Sequence, residues 1–444
     1  MLRTLLIVVL LLPVWGGLAH AVEVQRVVSP GGIEAWLVED HSNPILSVSF
    51  TFEGGSAAVP KGKGGLAEMV SGLLDEGAGD IDSKAFQQEL ADRSIGLSFD
   101  AGRDEFSGSL VTLTRERARA FELLRLAMAE PRFDPEPVER IRQQLLVQQA
   151  RRAQNPNALA WEGLFDLLFG DQRYAWPSVG TAESVGALSV DDLRWYVKNQ
   201  LVRDRLYIGV AGDITPAELG PLLDEVYGAL PKSGQLPTVP PQTVSQAGGT
   251  AVIERQQPQS VVAFGQVGVK RDDPDFYAAT LINYVLGGGT FSSRLYEEIR
   301  EKRGLAYSVS TSLAPMDHAG LLVGGVGTAN ERVAETLEQV RLQWRRLAEE
   351  GPTAEELEAA KAYVIGAFPL QLSSTGRIAS VLVSMQREHL GLDYIDRRPD
   401  LFSAVTLEQA RALAKRLLHP DQLKVVVVGQ PAGVEGTLQL PPAL

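Results

Sequence analysis

The sequence contains no cysteine and only five histidines, His20, His41, His318, His389 and His419. The first absence excludes disulfide scaffolds, thiol nucleophiles and cysteine-ligated metals. The second leaves no two histidines within helical reach of each other, so a histidine-built metal site has no starting point. Beyond the first dozen residues no apolar run approaches the ~20 residues that a membrane span requires. Cationic side chains are also in deficit, 42 against 55 acidic, and they form no stripe interleaved with aromatics. No nucleic acid partner is expected, because that binding draws on counterion release by clustered cations.

What is present describes a globular chain. Its 444 residues are 45% hydrophobic and 22% charged, and the length exceeds what one core usually supports, which predicts two or more domains. Arg3, an apolar run over residues 5–12 and the small-x-small triplet Ala19-His20-Ala21 read as a cleaved secretory signal over residues 1–21. Its removal takes Arg3 and no acid, leaving 41 minus 55, a net charge of −14. An exported, periplasmic destination is expected for the soluble acidic remainder, with no membrane span after cleavage. Without cysteine, such a chain must be held together by core burial.

The clearest linker covers residues 231–249, where Pro231, Pro237, Pro240 and Pro241 stand among polar residues with little periodicity. It separates an N-terminal domain, 22–230, from a C-terminal one, 250–444. The two look related. A helical pattern starting at Ser189 leads to the strand-like run at Leu206, and the same order recurs at Thr406 and Leu423, both 217 residues on. A second pair of landmarks, Val138 with Asn155 and Leu357 with Ser374, repeats at an offset of 219. A duplicated unit is expected. Alternation over 46–52 and 261–269 predicts strands; helical spacing follows over 65–74 and 276–286. Longer helices are predicted over 115–129, 135–152, 331–350 and 353–367, with Ser189 and Thr406 as N-caps of two more. This order gives an α+β fold of two homologous domains, each a mostly antiparallel sheet packed with helices.

Several familiar sites are absent. There is no G-x-S-x-G elbow, Lys63 is followed by Gly64 where a P-loop needs Ser or Thr, and Gly325-Val-Gly327 lacks the third glycine of a dinucleotide fingerprint. The most informative segment is G-G-G-T-F-S-S-R-L-Y-E-E-I-R-E-K-R-G-L-A-Y-S-V-S over residues 287–310. Three glycines free the backbone to turn, Ser292 or Ser293 caps a helix running to about Arg303, and Gly304 ends it in a left-handed conformation. Arg300 in the last turn and Tyr307 on the following strand then converge, offering a guanidinium fork and a phenol to a peptide carbonyl or an oxyanion. The alternative is structural: Arg300 pairs with Glu297, Glu298 or Glu301, and Tyr307 is an ordinary strand residue.

At this segment the chain resembles the M16 family of zinc peptidases, which includes the mitochondrial processing peptidases and insulin-degrading enzyme. The S-S-R-L-x-x-E-I-R-E-K-R-G-L-A-Y run matches, with the family's arginine and tyrosine at Arg300 and Tyr307. Further landmarks fall in order at Gly54-Gly55-Ser56, Gly64 to Ala67, Arg103, Pro131, Glu139-Arg140, Gly170-Asp171 and Pro177 to Thr181. The departure comes where the family places H-x-x-E-H directly after G-L-A. Here the two histidine positions are Glu68 and Gly72, the water-activating glutamate is Ser71, and the distal glutamate ligand falls near Gln148. A hydrolytic zinc needs three ligands, an open position for water and a base. Asp75 and Glu76 are expected at the solvated end of that helix, away from any rescue.

The resemblance therefore implies a chain that binds no cofactor and is not a peptidase alone. It implies a partner, a homologous subunit with an intact H-x-x-E-H that supplies the zinc, so that the pair forms a heteromeric metalloendopeptidase acting on peptides with Arg300 and Tyr307 on the substrate. The other reading is a stand-alone peptide-binding or complex-assembly protein with the same shell.

Overall fold

The computed structural model describes residues 23–440, so the signal expected over residues 1–21 lies outside the described residues. The first half of the chain runs through β1 (Gln25–Val28), β2 (Glu34–Glu39), β3 (Ile45–Glu53), α1 (Leu66–Ser71), β4 (Gly77–Ala78), β5 (Ile81–Asp82) and α2 (Ser83–Asp92). It continues through β6 (Gly96–Ala101), β7 (Glu105–Leu113), α3 (Arg117–Ala129), α4 (Pro135–Arg152), α5 (Pro156–Phe169), α6 (Ala182–Gly186), α7 (Val190–Gln200), β8 (Leu206–Gly212) and α8 (Pro216–Tyr227). After the linker come β9 (Gly249–Glu254), β10 (Gln259–Val267), α9 (Phe276–Asn283), β11 (Ala306–Pro315), β12 (Gly320–Ala329) and α10 (Val333–Glu350). The chain closes with α11 (Ala354–Ala367), α12 (Thr375–Arg387), α13 (Tyr394–Ser403), α14 (Leu407–Leu417) and β13 (Lys424–Gly429). No helix among the described residues is long and apolar enough to cross a membrane.

Two mostly antiparallel sheets result, ordered β1-β2-β8-β3-β7-β6 and β11-β12-β10-β13-β9. In each, the last strand of the half inserts between two early ones. β8 lies parallel to β2 and antiparallel to β3, and β13 lies parallel to β9 and antiparallel to β10. These are the strands that the 217-residue spacing picks out, so the repeat in the sequence is a repeat in pairing.

Local sequence explains where the helices begin. Ser189 and Thr406 close capping boxes with Asp192 and Gln409, each satisfying backbone N–H groups that the first turn leaves free. α4 starts with Pro135 at its first position, where a missing N–H does no harm. The helices expected from 115 and 331 start two residues later, at Arg117 and Val333, because a single 3-10 turn precedes each.

The central strands read as unbroken apolar runs because both of their faces are covered. On β13, Val425 and Val427 join the core beneath α10 and α14, while Val426 and Val428 pack with Ala160, Leu164 and Leu168 of α5. On β8, Ile208 and Val210 face the first half's own helices, and Ala211 meets Ile378, Ala379 and Leu382 of α12. Each half thus lends one helix to the outer face of the other half's sheet. The first half supplies the strands of one large sheet and the second half those of the other, whereas α5 and α12 each pack on the other half's sheet. The linker itself is no free tether. Gln242 and Val244 are buried, the Gln242 N–H donates to the His318 carbonyl at 2.8 Å, the Ser245 N–H donates to the Leu168 carbonyl at 2.8 Å, and Gly249 already belongs to β9.

The exchanged helix α12 approaches so closely that a Cβ at Gly209 would collide with the Ala379 carbonyl, whereas Gly366 on α11 has open space around it. Gly209→Ala is expected to lower stability by about 1–3 kcal/mol through overpacking, and Gly366→Ala to raise it by about 0.5–1 kcal/mol through helix propensity. Denaturant midpoints measure both; equal effects at the two positions would refute close packing of α12 on β8.

Candidate functional site

The segment that should carry zinc is built at α1. Gly65 adopts φ 84° at its N-cap, where a side chain would meet Val185 and the Val179 carbonyl. Glu68 sits half-buried on the helix, and its carboxylate has no hydrogen bond or ion pair among the described residues. Burial pushes its pKa up, the Asp100 charge adds to that, and Arg152 opposes it. Ser71 is buried and donates to the Glu68 carbonyl at 2.8 Å, closing its own helical turn. Gly72 ends the helix against α4, and a Cβ there would lie 3.3 Å from Ile141 Cγ2. Gln148 is exposed on α4, while the neighbouring Gln149 turns inward and donates to the Val179 carbonyl at 2.8 Å.

These residues do not fit a zinc ion. One carboxylate is a single ligand, the Ser71 hydroxyl is engaged by backbone, Gly72 offers no donor, and Gln148 faces solvent. Among the described residues no three His, Cys, Asp or Glu side chains are grouped to hold a metal. The expectation that Asp75 and Glu76 sit in solvent needs correcting. Both are half-buried: Glu76 receives two hydrogen bonds from Arg140, at 3.1 and 2.7 Å, and Asp75 accepts from Gln87 at 3.0 Å. A buried carboxylate needs such partners, and they tie the pair to α2 and α4.

The second segment is better formed. α9 continues as a π-helical turn over Tyr284–Gly288, and a second π-helix spans Tyr296–Glu301, so the α-helix expected to run from Ser292 or Ser293 to Arg303 is replaced by a wider turn. Ser293 does accept from the Tyr296 N–H, at 3.4 Å, and Gly304 does end the segment at φ 58°. The glycines act differently from the expected backbone turn. None of Gly287, Gly288 and Gly289 has positive φ; a Cβ on Gly287 would press on Thr311 of β11, and one on Gly289 would meet the Tyr284 ring. They are small so that the helix can lie against the strand.

That packing brings Arg300 and Tyr307 together. The Arg300 guanidinium carbon lies 5.2 Å from the Tyr307 ring centre and 4.8 Å from that of Tyr296, so the fork is held between two aromatic faces. Its charged partner is Glu301, 3.2 Å away and exposed, a contact of small energetic weight. Tyr307 is 84% exposed on the edge strand β11, beside a register shift between Ala306 and Val309. The arrangement places a guanidinium beside an exposed phenol. Tyr296 was not singled out from sequence, although its spacing of four before Arg300 was the available signal.

Residues 187–364 match the family described as peptidase M16 inactive domain. Over those residues the chain is similar to the M16 inactive domain. Its likeness extends well past that stretch. It is 26% identical over 370 residues to the Helicobacter pylori protein named non-peptidase homolog YmxG, covering 82% of this chain and 84% of that one. The crystal structure of a peptidase M16 inactive domain from Pseudomonas fluorescens superposes with a TM-score of 0.87 at 28% identity, over 94% of this chain and all of that one. The M16 fold alone is shared with the periplasmic protease PqqL of Escherichia coli, at 16% identity and a TM-score of 0.77, covering 93% of this chain and 46% of PqqL. The M16 resemblance read from residues 287–310 and from the degenerate motif at Glu68 is the family these comparisons give.

Since the folded state raises the Glu68 pKa, ionising this carboxyl opposes folding: stability is fullest below its unfolded pKa and falls as pH rises through the folded one. Glu68→Gln is therefore expected to be more stable than the parent at pH 8 and equal to it at pH 4. Denaturant melts at the two pH values check this, and a difference independent of pH would refute it.

Proposed function

We propose that this chain is the non-catalytic, substrate-holding subunit of an exported two-component M16-type zinc peptidase. The observation that carries the reading is an asymmetry between the halves. The motif positions Ser71 and Gly72 offer no zinc donor set and are packed against their own helix and Ile141, whereas the half-buried Arg300 lies against the exposed Tyr307 and is flanked by Tyr296. A chain kept only as a shell has no use for an oriented guanidinium beside an open phenol.

In this reading a homologous partner with an intact H-x-x-E-H binds the zinc, which polarises the peptide carbonyl and activates water when bound. This chain contributes the Arg300 guanidinium and the Tyr307 hydroxyl as donors to the peptide carbonyl oxygen, with their stabilisation growing as that oxygen gains charge. Export rests on residues 1–21 and on the periplasmic setting of PqqL. The partner is supported by PqqL as well, because the fold of this chain accounts for 46% of it, which leaves room in that protein for what a second subunit would supply here.

Mixed with a zinc-bearing M16 homologue, the chain should raise peptide turnover. Arg300→Ala and Tyr307→Phe should each lower that turnover by about 100-fold while association, followed by gel filtration, persists; full activity in both variants sinks the assignment. By elemental analysis the purified chain alone should hold no stoichiometric zinc, and one tightly held zinc per chain overturns the reading.

A further inference from the structure

The seam between the halves holds a partly open cavity of about 360 Å3. Its walls come from the end of β3, the turn between β6 and β7, the linker, and the turn between β11 and β12. Charges of both signs line it, and of these only Asp317 is ion-paired among the described residues, to Arg387. Glu53 accepts from the Tyr207 hydroxyl at 2.6 Å, and Asp104 from the Tyr174 hydroxyl at 2.6 Å and the Asp317 N–H at 3.2 Å. Neither carboxylate has a cation within 4.0 Å among the described residues.

The two lining arginines are equally without acids. Arg103 donates to the Tyr174 and Trp176 carbonyls at 2.6 and 3.3 Å and lies 4.6 Å from the Phe165 ring centre. Arg205 donates to the Asn199 and Gly234 carbonyls at 3.2 and 3.1 Å. Burial lowers the Arg103 pKa and raises that of Asp104, so each is being held charged against its surroundings. Asp104 attracts Arg103 without a direct ion pair, and that attraction does not outweigh the desolvation the two incur. A ligand with both charges would supply the missing partners.

A further acceptor waits beside it. Gln200 is wholly buried and donates to the Glu53 and Gly54 carbonyls, but its own side-chain oxygen receives no hydrogen bond. That oxygen lies 3.4 Å from the place a Cβ on Gly54 would take, a point the Leu236 side chain also approaches at 3.1 Å. Buried acceptors are rarely left so. Leu236 itself gives the cavity an apolar side.

We propose that this cavity binds an α-amino-acid zwitterion of about dipeptide size, its ammonium received by Glu53 and Asp104 and its carboxylate by Arg103 and Arg205. The volume falls in the range of small-molecule sites. Nothing in the proposal involves Arg300 or Tyr307, so it stands apart from the peptidase reading.

Calorimetric titration of the full chain tests it, with Ala-Leu, its N-acetyl form, its C-terminal amide, free leucine and 1,4-diaminobutane as probes. Ala-Leu should bind, and blocking either terminus should weaken it by about tenfold or more, the loss of one charged hydrogen-bonding partner. Leucine binding alongside Ala-Leu supports the same chemistry with a smaller ligand. Glu53→Gln should weaken Ala-Leu by a similar factor, and Leu236→Trp, which fills the cavity from the linker without touching a charge, should abolish it. Arg300→Ala should leave binding unchanged. Absence of heat with Ala-Leu, equal binding of the blocked forms, equal binding of the diamine, or undiminished binding in Leu236→Trp would each overturn the proposal.

Discussion

The structure depends on a reciprocal loan. β8 and β13 sit inside their sheets with apolar residues on both faces, and one face of each is covered by a helix of the other half. α5 crosses from the first half to close the outer face of β13, and α12 crosses back to close that of β8. Burying a Leu or Val side chain contributes about 1.5–3 kcal/mol, and the exchange buries several on each side. The two halves are therefore parts of one core system, with little freedom to open against each other.

This rigidity gives the asymmetry of the two candidate sites its meaning. At α1 two of the four motif positions hold residues that pack or bond locally: Ser71 bonds its own helix and Gly72 admits Ile141, while Gln148 faces solvent and the nearby Asp75 and Glu76 are held by Gln87 and Arg140. Glu68 is left half-buried without a hydrogen-bonding partner among the described residues. Around Arg300 the opposite holds. Two π-helical turns are uncommon and usually occur where something besides stability shaped the chain, and here they put a guanidinium between two rings at the open edge of a sheet.

Much of this was legible in the sequence, for local reasons. The bounds of α4 follow from Asp134, Pro135 and the period of its apolar residues, and the end of the segment after Arg303 follows from Gly304. The repeat at 217 residues found the paired central strands because a strand buried on both faces is an apolar run that stands out. What stayed hidden was non-local. The periodicity of α5 shows that it is apolar, not which sheet it covers. The glycines at 287–289 look like a turn because their close contact with Thr311 and Tyr284 lies in the tertiary packing. Asp75 and Glu76 look solvated until α4 brings Arg140 against them.

The seam cavity draws on both halves as well. Glu53, Arg103, Asp104 and Arg205 stand at the ends of β3, β7 and β8, neighbours in one sheet, the turn between β11 and β12 closes against them, and Arg387 of the exchanged helix α12 fixes that turn by reaching both Glu105 and Asp317 at 2.5 Å. With those side chains pinned, Arg103 cannot swing to Asp104 without giving up the Tyr174 and Trp176 carbonyls, and Asp104 cannot turn away without leaving the Tyr174 hydroxyl unpaired. Charge separation across the cavity is thus a property of the fold and not of any one residue. An exposed surface would relax such an arrangement by rotating side chains into pairs. A rigid seam preserves it, which is the condition for recognising a small ligand by the distance between its charges.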